Sequence, residues 1–128
     1  HVDRSLLGAA HFIDTDIKGV LVLLEEATFT GCLIEAKPIG LFMMFDEKGP
    51  DHKVLCVPVA DPRWNYIDDL EEVPPHLLSE ISHFFEIYKD LEAKITGIEG
   101  WESRESAYKV IEASITAFKK REEERKVS

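Results

Sequence analysis

At 128 residues, 45% of them apolar, the chain suits one domain around one hydrophobic core and holds no apolar run near the roughly 20 residues that a membrane-spanning helix needs. A formal charge of −10 argues against partners held through their phosphates, nucleic acid and anionic membrane alike, so any anion site has to be local. Cys32 and Cys56 sit in apolar runs without metal-binding spacing and read as buried, reduced thiols of a cytoplasmic protein.

The segment from His1 to Ile17 has little pattern beyond Asp14-Thr15-Asp16, and an opening on His1 rather than Met suggests a processed, trimmed or engineered start. Val20 to Leu24 has strand length and composition, as has Cys32 to Ile39, with Gly31 and Gly40 as punctuation. Leu41 to Phe45 and Lys53 to Val59 are two further strands, joined by a charged loop with its turn at Gly49-Pro50. Four strands with short connections predict an antiparallel sheet or barrel over about residues 20–60. An irregular acidic stretch from Asp61 to Glu72 follows, and then a proline pair that suits a first helical turn. Leu77, Leu78, Ile81, Phe84, Phe85 and Tyr88 recur at helical spacing, which predicts an amphipathic helix over about 75–92 whose apolar stripe packs on the sheet. Lys94 to Ile98 reads as a short strand broken by Gly100. Ser103 reads as the cap of a second helix over about 104–125, whose tail alternates blocks of sign at i, i+4 spacing.

The loop between the third and fourth strands has the densest chemistry. Asp46, Asp51 and Lys53 can converge there, and carboxylates beside an ammonium group suit a hard cation together with a phosphate. The competing interpretation is a solvated hairpin tip, since charged turns are common. For Tyr88 and Lys89 the corresponding alternatives are helix packing and a solvated face.

Several separated motifs agree in order: Thr28-Phe29-Thr30-Gly31-Cys32, Pro38-Ile39-Gly40, Asp46-Glu47-Lys48-Gly49 with Asp51 and Lys53, Asp61-Pro62-Arg63, His83 to Glu92, and Gly100-Trp101. Together they resemble the family I soluble inorganic pyrophosphatases of bacterial type, from about Val20 to about Lys119. The resemblance implies an α+β fold, an OB-like antiparallel β-barrel flanked by two C-terminal helices, with the barrel incomplete at its N-terminal side. It implies Mg²⁺-dependent hydrolysis of inorganic diphosphate by a cation-activated water, and a homo-oligomer, commonly a hexamer. Residue by residue, it implies that Asp14, Asp46 and Asp51 are metal ligands. Asp16 would activate water, and Arg4, Lys53, Tyr88 and Lys89 would contact phosphate, with Glu47 as a support.

The chain departs from that pattern in two places. Where the family carries a third aspartate, bridging two cations, this chain has Gly19, preceded by Lys18. A carboxylate there would offset cation–cation repulsion, which a lysine only increases. The family's N-terminal strands, with their substrate-facing glutamates and lysine, have no counterpart before His1. Two functions follow: a diphosphatase impaired at its second aspartate motif, or a non-catalytic binding or assembly subunit with a residual metal and phosphate site. A nucleic-acid-binding barrel is disfavoured by the charge.

Overall fold

The structure, a computed structural model, describes residues 19–24, 33–92 and 96–127, and of residues 89–92 and 96 the backbone alone. In chain order the elements are β1 (Gly19–Val22), β2 (Ala36–Asp46), β3 (Gly49–Pro50), β4 (Lys53–Pro58), a 3-10 turn (Leu70–Glu72), α1 (Pro75–Glu92), β5 (Thr96–Ser103) and α2 (Arg104–Val127). β2 is the hub. It pairs antiparallel with β3 and β4 along one side and with β5 along the other, while β1 joins the outer side of β4 in parallel. Among the described residues the sheet is antiparallel except at β1, and it stays open, with β1 and β5 each paired on one side only.

Each helix covers one face, and the strand alternation shows which. Val20, Val22, Leu41, Met43, Val54 and Cys56 point toward Ala107, Tyr108 and Ile111 of α2. Their neighbours Leu21, Leu23, Leu55 and Val57 point toward Leu77, Leu78 and Ile81 of α1. A strand with both faces covered has no place for alternating polar residues. This is why β4 reads as the unbroken run Val54-Leu55-Cys56-Val57, all fully buried. On the α1 face Phe42, also fully buried, packs against Phe85 and Trp101 at ring-centroid distances of 5.4 and 4.6 Å. The Trp101 indole N–H donates to Ser82 Oγ at 3.1 Å, tying β5 to α1.

Three elements differ from their sequence-based expectation. The second and third strands are one, because the chain continues through Gly40 with a slip of register against β4 between Pro38 and Gly40. The slip reverses the alternation, so that Ile39 faces α1 while Leu41 faces α2, and a bulge is where a sheet accommodates Pro38. Likewise Gly100 does not end its strand: β5 runs through it, shifted by one residue against Met43 and Met44, with Gly100 at a φ of 124°, a region L side chains rarely adopt. The hairpin turn lies at Glu47-Lys48, two positions before the expected Gly49-Pro50. Those two residues already pair with Asp46 and Phe45, on a short outer strand where a proline without N–H costs little.

The acidic stretch is folded against the sheet by specific contacts. Asp61 accepts hydrogen bonds from the backbone N–H and guanidinium of Arg63. Lys37 reaches from β2 to the Asn65 carbonyl at 2.9 Å and the Asp68 carboxylate at 2.7 Å, while Ile67 and Val73 enter the α1-side core. The first N–H of α2, from Arg104, goes to Asp69 Oδ1 at 3.1 Å, and the same oxygen accepts from Leu70 at 2.7 Å. The side chain found at the α2 start is therefore Asp69, where the sequence had suggested Ser103. No helix among the described residues is long and apolar enough to cross a membrane.

Candidate metal and phosphate site

The charged loop is the hairpin between β2 and β4. The pairing register carries through it: Asp46 faces Gly49, Phe45 faces Pro50, the Asp51 N–H donates to the Met44 carbonyl at 2.8 Å, and Lys53 faces Phe42. By alternation Phe42, Met44 and Asp46 on one strand share a face with Asp51 and Lys53 on the other. That face is the one α1 covers. The apolar core on this side thus gives way, at the end of the sheet, to two carboxylates and an ammonium group on a common surface. Asp46 also shapes its own turn, accepting the Lys48 N–H on Oδ1 at 2.8 Å, a local bond typical of aspartate in turns.

Lys53 is the best-held charge of the set. Its Nζ lies 3.3 Å from both oxygens of Asp51, and the two side chains are 15% and 22% exposed. The same nitrogen stands 5.3 Å from the centroid of the Phe85 ring on α1. On its remaining side lies Gly19 of β1, its register partner. A Cβ on Gly19 would come within 3.1 Å of Lys53 Cγ and 3.2 Å of its Nζ. Gly19, which the sequence had linked to Lys53 only through the resemblance, is its neighbour across a parallel strand pair.

The helix motif is close by. Phe85 is in edge-on contact with Phe84 at 5.1 Å, and Phe84 stacks on Tyr88 at 6.2 Å, so a run of rings leads from Lys53 to Tyr88. Phe84, Ile87 and Tyr88 remain exposed. Among the described residues the apolar stripe of α1 packs on the sheet through Leu77, Leu78, Ile81 and Phe85. Lys89 lies on α1 next in sequence to Tyr88. Arg4, Asp14, Asp16, Lys18, Cys32 and the Thr28 to Cys32 motif lie outside the described residues. Sequence reasoning had treated Phe85 only as a member of an apolar stripe. Its place beneath Lys53 depends on a contact between α1 and β4 that no local pattern records.

The donor set fits Mg²⁺ bound together with a phosphate. This cation uses one or two protein carboxylates, completes its shell with water and substrate oxygens, and needs no all-protein cage. Among the described residues no group of three or more His, Cys, Asp or Glu side chains forms such a cage. Asp46 and Asp51 would supply the carboxylates for such a cation, and the Lys53 ammonium stands beside Asp51.

An open OB-like sheet with two carboxylates and a lysine on one face near its rim defines a fold with a candidate cation and phosphate site. Residues 4–119 match the family described as inorganic pyrophosphatase. The chain is 52% identical over 100 residues to an inorganic pyrophosphatase of Methanosarcina mazei, an alignment covering 78% of this chain and 59% of that protein. It is 55% identical over 95 residues to one of Methanosarcina acetivorans, covering 74% and 56%. The inorganic pyrophosphatase structure from Helicobacter pylori superposes with a TM-score of 0.76 at 37% identity, over 83% of this chain and 67% of that one. The chain belongs to the inorganic pyrophosphatase family and shares the α+β, OB-like fold of its members. It spans less than two thirds of the length of these two curated relatives.

Proposed function

We propose that the chain hydrolyses inorganic diphosphate to two phosphates with Mg²⁺ as cofactor, at a rate lowered by glycine at position 19. The observation that carries this is the grouping of Asp46, Asp51 and Lys53 on one face of the sheet, beside the aromatic run to Tyr88. When bound, Mg²⁺ supplies neutralisation of the diphosphate charge and a lowered pKa for the attacking water. Asp46 and Asp51 hold the cation, with Asp14 as a further ligand. Lys53 and Arg4 draw the phosphates into place, and the Tyr88 hydroxyl and Lys89 ammonium hold the phosphate that leaves. Asp16 takes the proton as water oxygen bonds to phosphorus and the bridging P–O bond breaks. A site assembled this way acts by positioning and electrostatic stabilisation, which dominate phosphoryl transfer.

A homo-oligomer, a hexamer by family resemblance, and a cytoplasmic location belong to the same proposal and rest on the resemblance alone. One observation favours the second function, a non-catalytic subunit with a residual site: Lys53 lies against Gly19, where the family carries a carboxylate.

The test is phosphate release from diphosphate with and without Mg²⁺, for the parent chain and Gly19→Asp. The proposal predicts slow, Mg²⁺-dependent release from the parent and roughly tenfold or more faster release from the variant, a change of about 1.4 kcal/mol in the barrier. Release from neither chain supports the non-catalytic function.

A further inference from the structure

Gly19, at first sight only the loss of a ligand, also makes room for something. The Lys53 chain lies along it so closely that even a methyl group would stand 3.1 Å from Cγ and 3.2 Å from Nζ. With that space available, the ammonium group settles between both oxygens of Asp51 and the Phe85 ring. An ion pair this shielded from water on either side is not readily exchanged for solvent.

We propose that Lys53 is an internal counter-ion of Asp51 that changes partners when ligands bind, and that Gly19 is the positioning residue that allows it. The inference rests on the cation and phosphate reading above and adds to it a coupling between the two ligands. A cation arriving alone at Asp51 has to displace the ammonium group, and a phosphate arriving alone at Lys53 has to draw it away from the carboxylate. When both arrive, Asp51 turns to the cation and Lys53 to the phosphate, and the pair is broken once for two ligands. Mg²⁺ and phosphate therefore bind with positive coupling, and by linkage each strengthens the other to the same degree. Direct contact between cation and phosphate would also couple them, so the distinguishing quantity is the affinity for Mg²⁺ alone.

The experiment is calorimetric titration of the full chain with Mg²⁺ alone, inorganic phosphate alone, and each in the presence of the other. It is repeated on Lys53→Met and Gly19→Ala, with circular dichroism confirming the fold of each. Lys53→Met removes the competing ammonium group. Gly19→Ala keeps every charge and obliges the Lys53 side chain to shift by a few tenths of an ångström from its seat. The expected result is Mg²⁺ binding, without phosphate, that is roughly fivefold or more tighter in both variants than in the parent, with the Mg²⁺–phosphate coupling reduced in both. Tightening in Lys53→Met but not in Gly19→Ala would overturn the proposal, since it would reveal simple charge repulsion without partner exchange. Equal Mg²⁺ affinity in all three chains would overturn it too and leave the diphosphatase reading intact. Absence of Mg²⁺ binding in all three would overturn both.

Discussion

Lys53 shows how one residue gathers its role from several elements. Its charge and its spacing from Asp51 are visible in the sequence, and i, i+2 spacing on an extended chain places both side chains on one face. Phe85 and Gly19, the contacts that hold it, come from α1 and β1. No local pattern links positions 19 and 53, because a parallel pair joins strands distant in the chain. Asp46 and Asp51 were legible for the opposite reason, since a hairpin keeps its two strands adjacent. A buried side chain with chemistry of its own is Cys56, fully enclosed in the α2-side core. Burial raises its thiol to about 12, so the reactive thiolate is negligible at pH 8. Peptide-resolved labelling with a thiol reagent should therefore leave Cys56 unmodified in the native protein and modify it fully in denaturant. Rapid native labelling of Cys56 would contradict its placement.

At the scale of elements, the strands were legible in kind and less so in extent. Gly40 and Gly100 read as breaks because glycine is poor in strand interiors, yet both lie where β2 and β5 shift register and continue. The deciding interaction is lateral pairing with a neighbouring strand, which single-strand composition does not contain. The two helices were legible because their apolar residues recur over many turns. In the tail of α2, where i, i+4 pairs had been expected, an i, i+3 ion pair joins Glu122 to Arg125 at 2.9 Å.

The join between the acidic stretch and α2 depends on Asp69, whose Oδ1 serves the N–H groups of Arg104 and Leu70. The Arg104 bond, with that of Leu70 behind it, holds the Asp69 carboxyl below the usual carboxylate range. A group depressed on folding stabilises the native state above its unfolded pKa of about 3.9 and loses that contribution as pH falls through the folded value. Asp69→Ala should cost about 1 kcal/mol at pH 7 by urea denaturation, the usual scale of a helix cap, with the gap narrowing as pH falls below about 4. Equal stabilities at pH 7 would show that the cap contributes nothing.

For the molecule as a whole, a sheet covered on both faces by helices leaves its rim as the place where charge can face solvent. The hairpin carrying Asp46, Asp51 and Lys53 ends there. The α+β, OB-like class followed from the resemblance and from the strand and helix pattern. The parallel seating of β1 on β4, which brings Gly19 to Lys53, could be seen only in three dimensions. The proposed function requires that this rim bind cation and diphosphate and split the diphosphate. The most direct measurement is diphosphate turnover at saturating Mg²⁺, followed by ³¹P NMR, for the parent chain and for Asp51→Asn. Mg²⁺-dependent turnover is expected in the parent, with a fall of roughly 100-fold or more in the variant, the scale on which one lost electrostatic stabiliser acts. Equal turnover in the two chains would contradict it.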